Sequence, residues 1–145
     1  MNSTNYRMVM QGAALMLGLA GIIAVHVLDL QGKMEEVPYL GFAYIGAIVA
    51  SGVLLVLIAT KPSRGVFVAC SALSIAILGG YIINRTVGMP NAMDDIGNWF
   101  EPLGMLSVVC EIFVLVMGLV AARTFAEASA ADEDTVASRP PSEHP

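Results

Sequence analysis

The sequence predicts an all-α protein, a bundle of four transmembrane helices, on three observations. Hydrophobic residues make up 57% of the 145-residue chain and charged residues only 13%, against roughly a quarter in soluble domains. The charges are gathered in short segments that leave four long runs almost free of them. Each run has about the 20 residues that a helix needs to cross the hydrocarbon core of a bilayer. At this length the chain is one domain, and the lipid bilayer is the first partner its composition implies.

After a polar start, MNSTNYR, the first run extends from about Met8 to Leu30. Arg7 ahead of an apolar stretch also fits a signal peptide. The run is too long for one, however, and no small-x-small cleavage site follows, so a retained helix over about 8–30 is expected. Gln31 to Pro38, with Lys33, Glu35 and Glu36, reads as a short loop. The second run, about 39–60, carries no charge. Lys61-Pro62-Ser63-Arg64 is a tight basic turn, because proline cannot continue the helix before it. The third run covers about 65–84. It leads into NRTVGMPNAMDDIGNWFEPLG, residues 84–104, the longest polar segment between two hydrophobic runs. The fourth helix is expected over about 102–122, opening on Pro102, whose missing N–H costs nothing in a first turn. Residues 1–123 thus form the membrane domain. Residues 124–145 are small, acidic and proline-rich, the composition of a disordered tail.

Lys/Arg bias sets the expected orientation. With both termini in the cytoplasm, Arg7, Lys61, Arg64 and Arg123 lie inside, and only Lys33 and Arg85 lie outside. The longer polar loops are then external and acidic. The net charge of −5 owes much to Asp132, Glu133, Asp134 and Glu143, so it names no partner, and no nucleic-acid interface is expected. Cys70 and Cys110 fall within apolar runs and read as small core residues. Met34-Glu35-Glu36-Val37-Pro38 before Leu40-Gly41 is echoed by Met93-Asp94-Asp95-Ile96 before Pro102-Leu103-Gly104. The echo raises the option of two tandem helical hairpins.

Lipid does not drive helices together as water does, so close packing depends on small residues and hydrogen bonds. Small residues four apart recur as Ala14/Gly18, Gly46/Ala50, Ala47/Ser51 and Ala72/Ala76/Gly80. Gly104, Ser107, Glu111, Gly118 and Ala122 share one face of the fourth helix, which should point into the bundle.

Glu111 is the sharpest single candidate. It sits near the middle of the fourth helix, where an acidic group costs roughly 2.5–3.5 kcal/mol on insertion scales. No Lys or Arg lies at its depth; Ser51, Ser74 and Ser107 are the nearest polar groups. It fits either interhelical hydrogen bonding or passage of a proton or cation. His26 and Asp29, three apart, are neighbours on the first helix and suit a metal ligand with its carboxylate partner. A metal needs more ligands than these, and one histidine in the membrane domain rules out a bis-His haem within one chain. A structural His–Asp pair is the alternative. In the loop, Gly88, Pro90 and Asn91 are turn formers. Asp94 and Asp95 suit a short helical turn, Asn98 and Glu101 the start of the fourth helix, and Trp99 and Phe100 the membrane boundary. Together His26, Asp29, Arg85, Asp94, Asp95, Trp99 and Glu101 form a candidate outward-facing pocket for a divalent cation or a cationic ligand.

Arg85-Thr86, Gly88, Pro90 and DDIGNWFEPLG at 94–104 resemble a family of small four-helix membrane proteins from actinobacteria, with the likeness extending over most of residues 8–123. The resemblance implies four-helix topology and a bacterial inner (plasma) membrane setting. It carries over no catalytic residue.

The first functional expectation is a non-enzymatic accessory or interaction subunit, packing against itself as a homo-oligomer or against a larger membrane complex. The second is a small transporter or channel component gated by Glu111, and the third a metal or redox-linked protein using His26, Asp29 and the loop carboxylates. No nucleophile–base pair, phosphate loop or cofactor motif is visible, so neither an enzyme nor a bound cofactor is expected.

Overall fold

In a computed structural model, residues 3–138 are described; the end of the expected tail, 139–145, lies outside them. The elements are α1 (Ser3–Glu36), α2 (Pro38–Thr60), α3 (Arg64–Thr86), a single 3-10 turn (Met93–Asp95) and α4 (Pro102–Ala137), with no strand among the described residues. The helices run up and down. Each packs on its neighbours in the chain, α4 closes onto α1, and α2 and α3 touch each other least. One end of the bundle, the loop end, carries the α1–α2 turn and the α3–α4 loop. The other, the terminal end, carries the start of α1, the end of α4 and the α2–α3 turn.

All four helices are long and apolar enough to cross a membrane, and the protein is a multi-pass membrane protein. Leu17, Val49, Val53, Ile75, Val109 and Val116 are exposed on the outside of the bundle. Lipid accepts such a surface because every backbone polar group there is satisfied within its own helix. With 23 residues each, α2 and α3 rise about 35 Å, close to the bilayer's apolar thickness of about 30 Å.

Two segments differ from expectation. Gln31–Glu36 is not a loop: α1 continues through it, and Val37 alone separates α1 from α2. These polar residues are good helix formers and are tied along the helix, Gln31 Nε2 donating to Glu35 Oε1 at 3.1 Å and Lys33 Nζ to Glu36 Oε2 at 3.2 Å. Pro38 then opens α2. Nor is the chain disordered from 124: α4 continues to Ala137. Its alanine-rich continuation favours helix, and tertiary contacts hold its start. Gln11 of α1 donates to Thr124 Oγ1 at 3.2 Å, and the Phe125 ring meets Phe67 edge-on at 6.0 Å.

The apolar core fills only the terminal half. It joins Leu15, Leu19 and Ile22 of α1 to Leu54 and Ile58 of α2, Phe67 and Cys70 of α3, and Val114, Ala121 and Ala122 of α4. Two glycines permit this packing. A Cβ at Gly18 would lie 2.5 Å from Val114 Cγ2, and one at Gly118 would lie 2.8 Å from the Phe67 carbonyl oxygen. Beside Gly118, Ser71 Oγ donates to the Leu115 carbonyl at 3.0 Å, a hydrogen bond between α3 and α4. Ser107, Glu111, Gly118 and Ala122 are all buried, so the small and polar face of α4 does point inward.

Because the Phe67 carbonyl is backbone and cannot swing aside, Gly118→Ala should force α3 and α4 apart, costing about 1–3 kcal/mol. A lower thermal midpoint in detergent is the expected reading. Gly79→Ala, where a Cβ meets nothing within 4 Å, should not lower it. Equal midpoints for the two variants would contradict the packing described.

Candidate functional site

Above the core, in the loop half, the bundle is hollow. A chamber of about 330 Å³ is walled by all four helices. α1 contributes Val25, His26, Asp29 and Lys33; α2 contributes Leu40, Ala43, Tyr44 and Ala47. From α3 come Leu73, Ala76, Ile77, Gly80, Tyr81, Asn84 and Arg85, and from α4 Leu103, Gly104, Ser107 and Glu111, with Met89 and Glu101 from the loop. The hollow has a sequence origin. Where the terminal half places Leu, Ile and Phe, the loop half faces inward with Ala43, Ala47, Ala76, Gly80, Gly104 and Ser107. Ala76 and Gly80, which the spacing suggested would draw helices together, instead leave space: a Cβ at Gly80 would meet nothing within 4 Å.

Glu111 stands on the chamber's inner wall, 1% exposed. Ser107, one turn earlier, donates to its Oε1 at 2.6 Å, while Oε2 has no protein partner. Ser51 of α2 lies in sequence between the core residues and the chamber-lining residues of its helix, and Ser74 of α3 follows Leu73, the first chamber-lining residue of its helix. Both are fully buried, with hydroxyls that bond to nothing in the protein. A polar layer thus separates the solid half from the hollow one.

At the side, His26 Nδ1 lies 2.9 Å from the Ile22 carbonyl of its own helix. The hydrogen bond makes Nδ1 the protonated nitrogen. Tyr44 meets the imidazole edge-on at 4.7 Å and donates its hydroxyl to Asp29 Oδ2 at 3.1 Å. Tyr44 carried no distinguishing pattern in the sequence. The signal that finds it is register: Asp29 lies eight residues before Val37 and Tyr44 seven after, so a one-residue turn places them side by side on antiparallel helices.

The loop braces the mouth, where Lys33 and Glu101 remain partly exposed. Arg85, 4% exposed, donates from Nη1 to Asp95 Oδ1 at 2.5 Å and from Nη2 to Glu101 Oε2 at 2.8 Å, with its guanidinium over the Tyr81 ring. Asp95 also accepts from Asn84 Nδ2 at 2.8 Å and lies 3.7 Å from Lys33 Nζ. One carboxylate therefore joins α1, α3 and the loop. The backbone is shaped to deliver it. Met89-Pro90-Asn91-Ala92 is a turn with Asn91 at φ 61° and Ala92 N donating to Met89 O, the arrangement of a type II turn. Gly88 and Gly97, at φ 81° and 80°, supply the other reversals, and Gly97 N donates to Arg85 O. Tyr39 and Tyr81 add hydroxyl bonds to the carbonyls of Pro90 and Trp99.

Of the candidate residues, His26, Asp29, Arg85, Glu101 and Glu111 line one chamber, and Asp95 stands behind Arg85. Asp94 is exposed and absent from the wall, and Trp99 packs edge-on to Tyr81 outside it. Glu101, rather than Asn98, immediately precedes α4. The convergence that a metal centre requires does not occur. His26 is turned to Ile22, Asp29 to Tyr44, and the loop carboxylates to Arg85; among the described residues no three of His, Cys, Asp and Glu converge. Compared with protein-family models, curated proteins and solved structures, the chain has no match.

Burial alone favours the neutral form of Asp95, but the Asn84 amide and the charges of Lys33 and Arg85 outweigh it and hold the carboxyl below its ordinary value of 3.8. A carboxyl favoured as the anion in the folded chain contributes stability that is present above its unfolded pKa and lost as pH falls through its folded one. The thermal midpoint in detergent should therefore drop as pH falls below about 4. Asp95→Asn should lower it at neutral pH and flatten that acid dependence. Parallel pH curves for the two proteins would show that Asp95 is not the group responsible.

Proposed function

We propose that the protein is a small transporter or channel component in which Glu111 is the protonatable group of the loop-end chamber. One observation carries this reading. The most deeply placed acid of the membrane domain lies on the wall of an internal space that extends to partly exposed Lys33 and Glu101, not inside packed apolar side chains. An ionisable group within a span that borders a cavity marks a pathway for protons or solutes. The buried, unpartnered Oε2 supports it further, since a carboxyl serving only to join helices would direct both oxygens to neighbouring helices, and Ser107 lies on its own. The Lys/Arg distribution supports an orientation with both termini cytoplasmic and the chamber opening to the outer face of a bacterial inner membrane.

A second reading, an accessory subunit that packs against another membrane protein or a second copy, is favoured by α2. A Cβ built at Gly46 has nothing within 4 Å, and with Ala50 one turn on it leaves a small-residue spacing suited to another helix. Mild-detergent mass analysis separates the two, since that reading requires an oligomer or a stable partner.

Ser107→Cys in oriented vesicles should react with a membrane-impermeant maleimide added on the loop side, whereas native Cys70, fully buried in the core, should not. Proton flux into proteoliposomes under a pH gradient should exceed that of protein-free vesicles and fall to their level in Glu111→Gln. Labelling of the Ser107→Cys thiol no faster than that of Cys70, or flux unchanged in Glu111→Gln, would refute the proposal.

A further inference from the structure

We infer that the chamber takes an organic ammonium ion with an apolar body, admitted from the lipid between α2 and α3. The inference rests on the reading of Glu111 above and names the class of solute. Three features of the chamber specify it.

The first is charge. Around the chamber the carboxylates of Asp29, Asp95, Glu101 and Glu111 stand against only Lys33 and Arg85. Both cations are committed, Arg85 to Asp95 and Glu101, and Lys33 to Glu36 with Asp95 close by. The carboxyls left without an ion pair among the described residues are those of Glu111 and Asp29. The second is hydrogen-bonding capacity. Glu111 Oε2 of α4 and Asn84 Oδ1 of α3, both on residues that line the chamber, are buried acceptors without donors, and an ammonium group supplies N–H donors. Arg85 Nε is an unpartnered donor, but its guanidinium is already balanced by two carboxylates and does not recruit an anion. The third is the remainder of the wall, which is alkyl and aromatic, including Leu40, Ile77, Leu103 and the Tyr44 and Tyr81 rings. Aromatic faces attract ammonium ions, and a volume of about 330 Å³ falls within the range of small-ligand pockets. A hydrated metal ion would leave that apolar surface unused.

The route follows from the packing. Of the helix pairs that pack together, α2 and α3 touch least, and Ala43 of α2 and Ala76 of α3 both line the chamber and are exposed. Two methyl groups flank the opening, on the side where an amphiphilic ammonium ion dissolved in the bilayer arrives.

The probe is 4-phenylbutylammonium, with n-pentylbenzene as its uncharged isostere. Equilibrium dialysis of the detergent-solubilised protein should show saturable binding of the ammonium ion at one per chain. Glu111→Gln should weaken that binding at least tenfold, and n-pentylbenzene should not compete. The ammonium ion should also protect the thiol of the Ser107→Cys variant from maleimide. Ala43→Trp, which sets an indole at a residue lining the chamber and takes up the space for the apolar body, should abolish binding and decides the matter independently if Glu111→Gln does not fold. Binding unaffected by Glu111→Gln, equal competition by n-pentylbenzene, or binding retained in Ala43→Trp would overturn the inference. A Ser107→Cys thiol that is labelled but not protected would overturn the solute class while leaving the accessible chamber intact. One that is never labelled would remove both.

Discussion

A guanidinium that is almost wholly buried dictates the loop end of this protein. Arg85 is the last-turn cation of α3 and lies where the helix leaves the apolar layer, so its charge must be neutralised within the protein. Burying an unpaired cation costs several kcal/mol, and the chain meets that requirement from two directions. Asp95 arrives by way of a type II turn and two left-handed glycines, and Glu101 arrives because it immediately precedes α4. The loop owes its path to these two contacts. Once Asp95 is in place it also attracts Lys33 of α1, and three parts of the chain are joined at one carboxylate. A polar clamp at the rim holds the helix ends without side chains filling the space between them.

The two halves of the bundle use small residues in opposite ways. At Gly18 and Gly118 the missing side chain admits a neighbouring helix, and the dense apolar core follows. At Ala76 and Gly80 the facing helix stays away and the missing side chain becomes volume. Small residues lower the cost of close approach in lipid without themselves supplying an attraction. Which outcome is realised depends on what stands opposite. The Leu, Ile and Phe of the terminal half seal that end, and the clamped ends of α3 and α4 keep the loop half open.

Helix number and position were legible because an apolar run of membrane length has few alternatives. Helix ends were less so, since polarity marks where a helix leaves lipid and not where it stops. Gln31–Glu36 and the residues after Arg123 are polar and helical for that reason. The inward face of α4 could be read from the spacing of Ser107, Glu111, Gly118 and Ala122, because one helix fixes its own periodicity. The difference between Asp94 and Asp95 could not, because adjacent residues in an irregular loop are told apart only by the turn geometry that aims one at Arg85. Tyr44 escaped notice for a related reason: its partner lies on another helix, and the register that pairs them depends on the length of a turn that was expected to be longer.

The circuit of helices has a further meaning for the covalent chain. α4 returns to α1 and is bound to it along the core and by Gln11 and Thr124, while α2 and α3, though consecutive, touch less than the other packed pairs. The covalent link through Lys61, Pro62 and Ser63 thus joins two hairpins that meet chiefly along α1 and α4, each bringing two walls of the same room.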